Sequence, residues 1–186
     1  MGEVLEVYGL LDNERIKEAE INVNGYVRDG LLKERTLDEN ILKILRKNSE
    51  ESLIVADLIL KEEISSLWVI VSSYYSMYYI ANAVLLKLGY KVGSAVSHKV
   101  TGDALIVFVR DKLKKSILED FEDAKAEAMD LANLTDDIIG SFDFERKKRS
   151  TFQYNMTAPV KKSKAQTSLE RAKKFNLEFE KLLERS

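Results

Sequence analysis

The sequence predicts an all-α protein, an up-and-down helical bundle with an N-terminal helical extension. Three observations predict it. Of 186 residues, 32% are charged and 45% apolar, with one proline and eight glycines, a balance that suits helices and does not suit a loop-rich sandwich or a disordered tail. Several segments repeat apolar residues every three or four positions. One of them, residues 64–86, carries no charge at all. The length fits one domain, or one domain with an extension, and is enough to bury a substantial core.

The elements follow in order. Residues 13–31 read as a first helix: Asp12 is placed to cap it, Ile16, Ala19, Val23 and Tyr26 share a face, and Gly30 stops it. Thr36 with Glu39 fits a capping box that opens a short helix carrying Leu37, Ile41, Ile44 and Leu45. Asn48 with Glu51 fits another, which starts a segment through Leu53, Ala56, Leu58 and Leu60 toward Glu63. These boundaries divide the chain into an extension, 1–48, and a bundle, 49–186.

The uncharged segment ISSLWVIVSSYYSMYYIANAVLL follows and ends near Gly89. Its length would span a bilayer. It also holds five serines, one asparagine and four tyrosines, several of them central, and in hydrocarbon those groups would need partners. The expectation is a buried central helix, with no membrane.

Residues 90–97 read as a loop. Residues 98–115 include ALIVFV, which has β-branched residues but no hairpin turn and no partner strand elsewhere, and reads as a buried helix. Ile117, Phe121, Ala124, Ala128, Leu131, Thr135 and Ile138 step by four and three along one face, and Gly140 is the expected stop. A last amphipathic helix begins near Lys164, capped by Ser163 with Gln166, and carries Leu169, Ala172, Phe175, Phe179 and Leu182.

Missing residue types exclude whole classes of chemistry. The chain has no cysteine, so disulfides, thiolate metal sites and cysteine nucleophiles are out, in keeping with a reducing cytoplasm. It has one histidine, His98, so a multi-histidine metal site is out and a serine–histidine relay would have to run through that residue. No glycine-rich phosphate loop occurs. No cofactor or metal is expected; Asp143 and Glu145 read as helix-dipole partners rather than magnesium ligands.

The net charge of −2 conceals a strong asymmetry. Residues 119–137 hold eight acids against Lys125 alone. Residues 145–164 hold seven cations (Arg146, Lys147, Lys148, Arg149, Lys161, Lys162, Lys164) against Glu145 alone. Clustered cations gain affinity for a polyanion by displacing its counterions. The other reading is that the two blocks pair, or solvate a helix end. Phe152, Gln153, Tyr154 and Asn155 interleave with the cations; aromatic rings stack on bases and amides read base edges, although Phe152 also suits a core anchor.

The run WVIVSSYYSMYYIANAVLLKLGYK, then SHKVTGDAL, resembles the core of HEPN domains, with their tyrosine-rich buried helix and a histidine opening the next one. RSTFQYN resembles the site where that family carries arginine, a short gap, and histidine or tyrosine, and SLERAKKFNLEFEKLL resembles its closing helix. The similarity covers roughly residues 50–185. It implies an up-and-down bundle that forms a homodimer, often a metal-independent ribonuclease toxin paired with a nucleotidyltransferase-type antitoxin. It puts Arg149 at the catalytic arginine and Tyr154 at the histidine position; the charge pattern adds Arg146, Lys147, Lys148 and Asn155 as the residues expected to bind RNA or nucleotide phosphate. Tyrosine there is a departure: its pKa near 10 makes it a poor base, although it can donate a proton or hold a phosphate. His98 matches the family's structural histidine. Two other functions stand beside the ribonuclease: a non-catalytic partner of a nucleotidyltransferase, with Tyr154 as nucleotide acceptor, and a helical scaffold whose basic segment neutralises the acidic helix.

Overall fold

The uncharged run beginning at Ile64 forms one helix at the centre of a bundle. The computed structural model describes residues 11–143 and 160–185. Among them are α1 (Asn13–Arg28), β1 (Leu32–Glu34), α2 (Glu39–Lys61), α3 (Ser66–Lys87), β2 (Tyr90–Val92), α4 (Ser97–Val109), a 3-10 turn (Arg110–Lys112), α5 (Lys115–Asp143) and α6 (Lys162–Arg185). The chain is mostly helical, as its sequence predicts.

α3 has small or apolar residues on every side, and α2, α5 and α6 pack around it. Ser65 caps its start and Gly89 ends it at φ 92°, a left-handed conformation that glycine adopts without a Cβ penalty. Among the described residues it is the one helix long and apolar enough to cross a membrane, and the protein itself buries 67% of its most apolar stretch.

Interhelical bonds fix the directions. Asn176 meets Ser76 and Lys87 meets the Leu183 carbonyl, so α3 and α6 run parallel. Arg46 pairs with Glu180 and Asp57 with Lys173, so α2 opposes α6. Lys174 pairs with Asp120 and Arg171 with Glu127, so α5 opposes α6 as well. α2 turns into α3 through Glu63 at φ 54°, where the amides of Glu63 and Ile64 return to the carbonyls of Leu60 and Ile59.

The centre of the core is aromatic. Phe121 stacks on Phe175 at 5.4 Å, Phe175 on Phe179 at 3.9 Å, and Tyr74 lies 5.8 Å from Phe121. A smaller cluster of Ala56, Val69, Ile70, Ala165 and Leu169 joins α2, α3 and α6 nearer the α2–α3 turn. α4 packs across α1 and α5.

Several boundaries differ from the sequence expectation. α2 is one continuous helix through Asn48, so Asn48 and Glu51 form no capping box; Asn48 lies mid-helix and its carbonyl accepts from Ser52 Oγ at 2.7 Å. Buried Ser49 keeps the inward stripe going where an apolar residue was missing. Asp38, not Thr36, caps α2, accepting from the Asn40 and Ile41 amides at 3.0 and 3.1 Å. Residues 90–92 are a strand rather than loop, pairing antiparallel with β1 in the register Leu32 to Val92. Three residues are too few to display strand alternation. Gly140 lies within α5 instead of ending it, and α6 begins at Lys162, ahead of the expected Ser163 cap.

Candidate functional site

The residues expected to carry function, Arg146, Lys147, Lys148, Arg149, Tyr154 and Asn155, lie outside the described residues. The described part of the same basic block is Lys161, Lys162 and Lys164, all exposed at the start of α6, with Lys162 paired to Glu63 beside the α2–α3 turn.

Five acids of α5 between 119 and 127 have cationic partners, within α5 or on α1 and α6. Glu119 pairs with Lys115, and Asp120 with Arg171 and Lys174. Glu122 pairs with Lys125 and Arg15, while Asp123 and Glu127 share Arg171. Burial nevertheless raises the pKa of Asp123 above the ordinary carboxylate value, with Arg171 opposing the rise.

His98, near the start of α4, is half-buried. Its Nδ1 lies 2.8 Å from the hydroxyl of buried Tyr74, and its ring lies 4.5 Å from that of Tyr78. Burial lowers its pKa, and nearby Lys125 lowers it further. Burial raises that of Tyr74. The bond therefore joins a neutral imidazole to a neutral phenol, which agrees with a structural histidine.

Among the described residues, the most heavily buried ionic group is Asp103 on α4. It is fully buried and accepts three bonds: Arg15 Nη2 at 2.6 Å, Asn22 Nδ2 at 3.0 Å and the Tyr26 hydroxyl at 2.8 Å. All three donors lie on α1. Arg15 also reaches Glu122 at 3.3 Å, and Glu122 holds Lys125 at 2.7 Å. Burial works against the charge of Arg15, but its bond to Asp103 and the attraction of Glu122 and Asp103 prevail, so its pKa rises. Tyr26 has its pKa raised by burial first and by Asp103 second, and donates as a neutral phenol. A Cβ at Gly102 would stand 2.5 Å from Glu122 Oε1 and 2.8 Å from Lys125 Nζ; glycine lets that ion pair lie against α4. Each oxygen of Asp103 faces a donor, so the cluster latches α1 to the bundle and offers no open position to a reactant.

A second polar seam joins α2, α3 and α6. Ser49 Oγ lies 2.8 Å from the Ser76 carbonyl and 2.6 Å from Asn176 Oδ1. Asn176 Nδ2 lies 2.9 Å from Ser76 Oγ, which in turn donates to the Ser49 carbonyl at 2.8 Å. Ser76 of the central helix thus joins α3 closely to α2 and α6. Ser73 and Ser168, buried, have no hydrogen-bond partner among the described residues.

The sequence reading missed Asp103 and its donors. One signal was available, a lone acid inside the apolar run VTGDALIVFV. No protein-family model, curated protein or solved structure matches the chain.

Proposed function

We propose that the chain is a HEPN-like RNA-binding protein that works as a homodimer, with Arg146, Lys147, Lys148, Arg149 and Asn155 holding the phosphate backbone. Arg149 neutralises the phosphodiester, the attacking 2′-hydroxyl gives its proton to water, and Tyr154 donates a proton to the oxygen that leaves and regains one from water. Because neutral tyrosine is a poor base, tight binding with slow, metal-independent cleavage is the expected behaviour.

One observation carries most of the weight. The acids of α5 at 119, 120, 122, 123 and 127 already have cationic partners outside residues 145–164. Those five acids thus have compensating cations without the basic block, which supports a role for that block beyond neutralising them. The bond between His98 and Tyr74 fits the role the resemblance implies for that histidine.

The test is anisotropy titration of a labelled single-stranded RNA at several salt concentrations. Each phosphate neutralised contributes about −0.7 to the slope of log K against log salt, so four cations predict a slope of roughly −2 to −3. Arg149→Ala flattens it by about 0.7. Cleavage is followed in parallel with EDTA present. Wild-type protein that binds RNA without salt dependence, or not at all, refutes the proposal.

A further inference from the structure

α2 turns one face inward, through Leu42, Ser49 and Ala56, and another directly away from the bundle. The outward face is not polar. It carries Ile44, Ile54, Val55 and Leu58, and Ile64 and Trp68 follow on the turn and the start of α3. These six side chains are between 45% and 69% exposed. If a large side chain presents about 200 Å² in full, they expose of the order of 650 Å². A stable interface takes about 800 Å² from each partner. With its flanking charges, this face is the size of an interface.

The charges along it identify the occupant. In chain order the outward stripe reads Ile44, Lys47, Glu51, Ile54, Val55, Leu58, Glu62. Against a parallel copy, Lys47 would face Lys47 and Glu62 would face Glu62. Against an antiparallel copy centred between Ile54 and Val55, Lys47 faces Glu62 twice by symmetry. Ile54 then faces Val55, Glu51 comes beside Leu58, and Ile44 comes beside the turn carrying Ile64. The stripe is complementary to itself in one orientation only, which is the requirement of a two-fold interface.

We infer that a second copy of this chain docks on this face, through two α2 helices crossing antiparallel near Ile54 and Val55. The inference rests on the homodimer in the proposed function and names the surface that forms it; it does not depend on RNA binding.

The chain has no cysteine, so single-cysteine variants report proximity without interference. Val55→Cys should form a disulfide-linked dimer under mild oxidation. Ile21→Cys, on exposed α1, should not. Analytical ultracentrifugation should find the wild type dimeric, and Leu58→Glu, which buries two carboxylates per dimer, should weaken association at least about 100-fold while circular dichroism stays helical. Lys47→Glu and Glu62→Lys should each weaken it, and the double variant should restore it. A dimer that survives Leu58→Glu and does not link through Val55→Cys overturns this face while leaving the homodimer intact. A wild type that is monomeric at all concentrations, whether its own residues or another protein covers the face, overturns both. RNA titration of the same samples reports on the phosphate-binding proposal separately.

Discussion

Replacing Asp103 with alanine should release α1 from the bundle. The variant removes the acceptor that Arg15, Asn22 and Tyr26 share, and leaves the arginine half-compensated. Breaking a fully buried ion pair from one side is worth about 3–5 kcal/mol. Here the Arg15 side chain is 22% exposed and Glu122 remains 3.3 Å away, so the low end applies, about 3 kcal/mol. For a chain of this length that lowers Tm by about 6–12 °C. Asp103→Asn keeps the shape but loses the charge and turns an amide donor toward donors, and should lose about 2 kcal/mol. Tyr26→Phe removes one bond from a half-buried hydroxyl and should lose about 1 kcal/mol. Urea unfolding measures all three. A cycle of Asp103→Asn with Arg15→Met should return a coupling of about 1–3 kcal/mol. Hydrogen exchange should show the amides of α1 losing protection well before those of α3. A loss under about 1 kcal/mol for Asp103→Ala, or unchanged exchange in α1, refutes the latch.

Asn176→Ala strips the seam between α2, α3 and α6 of its amide and leaves Ser49 and Ser76 short of a partner; urea unfolding should show a loss of about 1–3 kcal/mol. Val96 stands at φ 45° ahead of α4 with no side-chain cap, strained for a β-branched residue, so Val96→Gly should raise stability by about 0.5–1 kcal/mol, read from the denaturation midpoint. His98 has its pKa lowered by burial and by Lys125, so in the unfolded chain it takes a proton near pH 6.5 that the folded chain resists. Its contribution is complete above that pH and is lost as pH falls through it toward the folded value. The wild type should therefore lose more stability than His98→Gln between pH 7 and pH 5, and equal slopes would rule this out.

The sequence displayed much of this fold because four of its helices carry local signals. Asp12 and Gly30 bracket α1, Ser65 and Gly89 bracket α3, and the stripes of α5 and α6 repeat at helical spacing. α2 was harder to read because its inward stripe passes through Ser49, a polar residue whose partners are 27 and 127 positions away. Asn48 and Glu51 offered a plausible cap at the same place, and local propensity gave way to tertiary packing. β2 depends wholly on β1, some sixty residues earlier in the chain.

The polar contacts were hidden for the same reason, and they decide what the apolar pattern leaves open. A hydrophobic stripe tells a helix which side to bury; it does not choose a neighbour or an axial position, since one stripe of leucine and alanine packs against another at many offsets. Here the offsets are set by paired groups far apart in the chain. Arg46 on Glu180 and Asp57 on Lys173 fix α2 against α6 at two levels. Asn176 on Ser76 fixes α6 against α3, and Arg171 among Asp120, Asp123 and Glu127 fixes α5 against α6. Asp103 does the same for α1, whose own apolar face holds few fully buried residues, Ala19 and Val23 among them. With so little apolar surface, α1 keeps its place through one buried carboxylate, and the N-terminal helix is the element whose attachment a single substitution should loosen first.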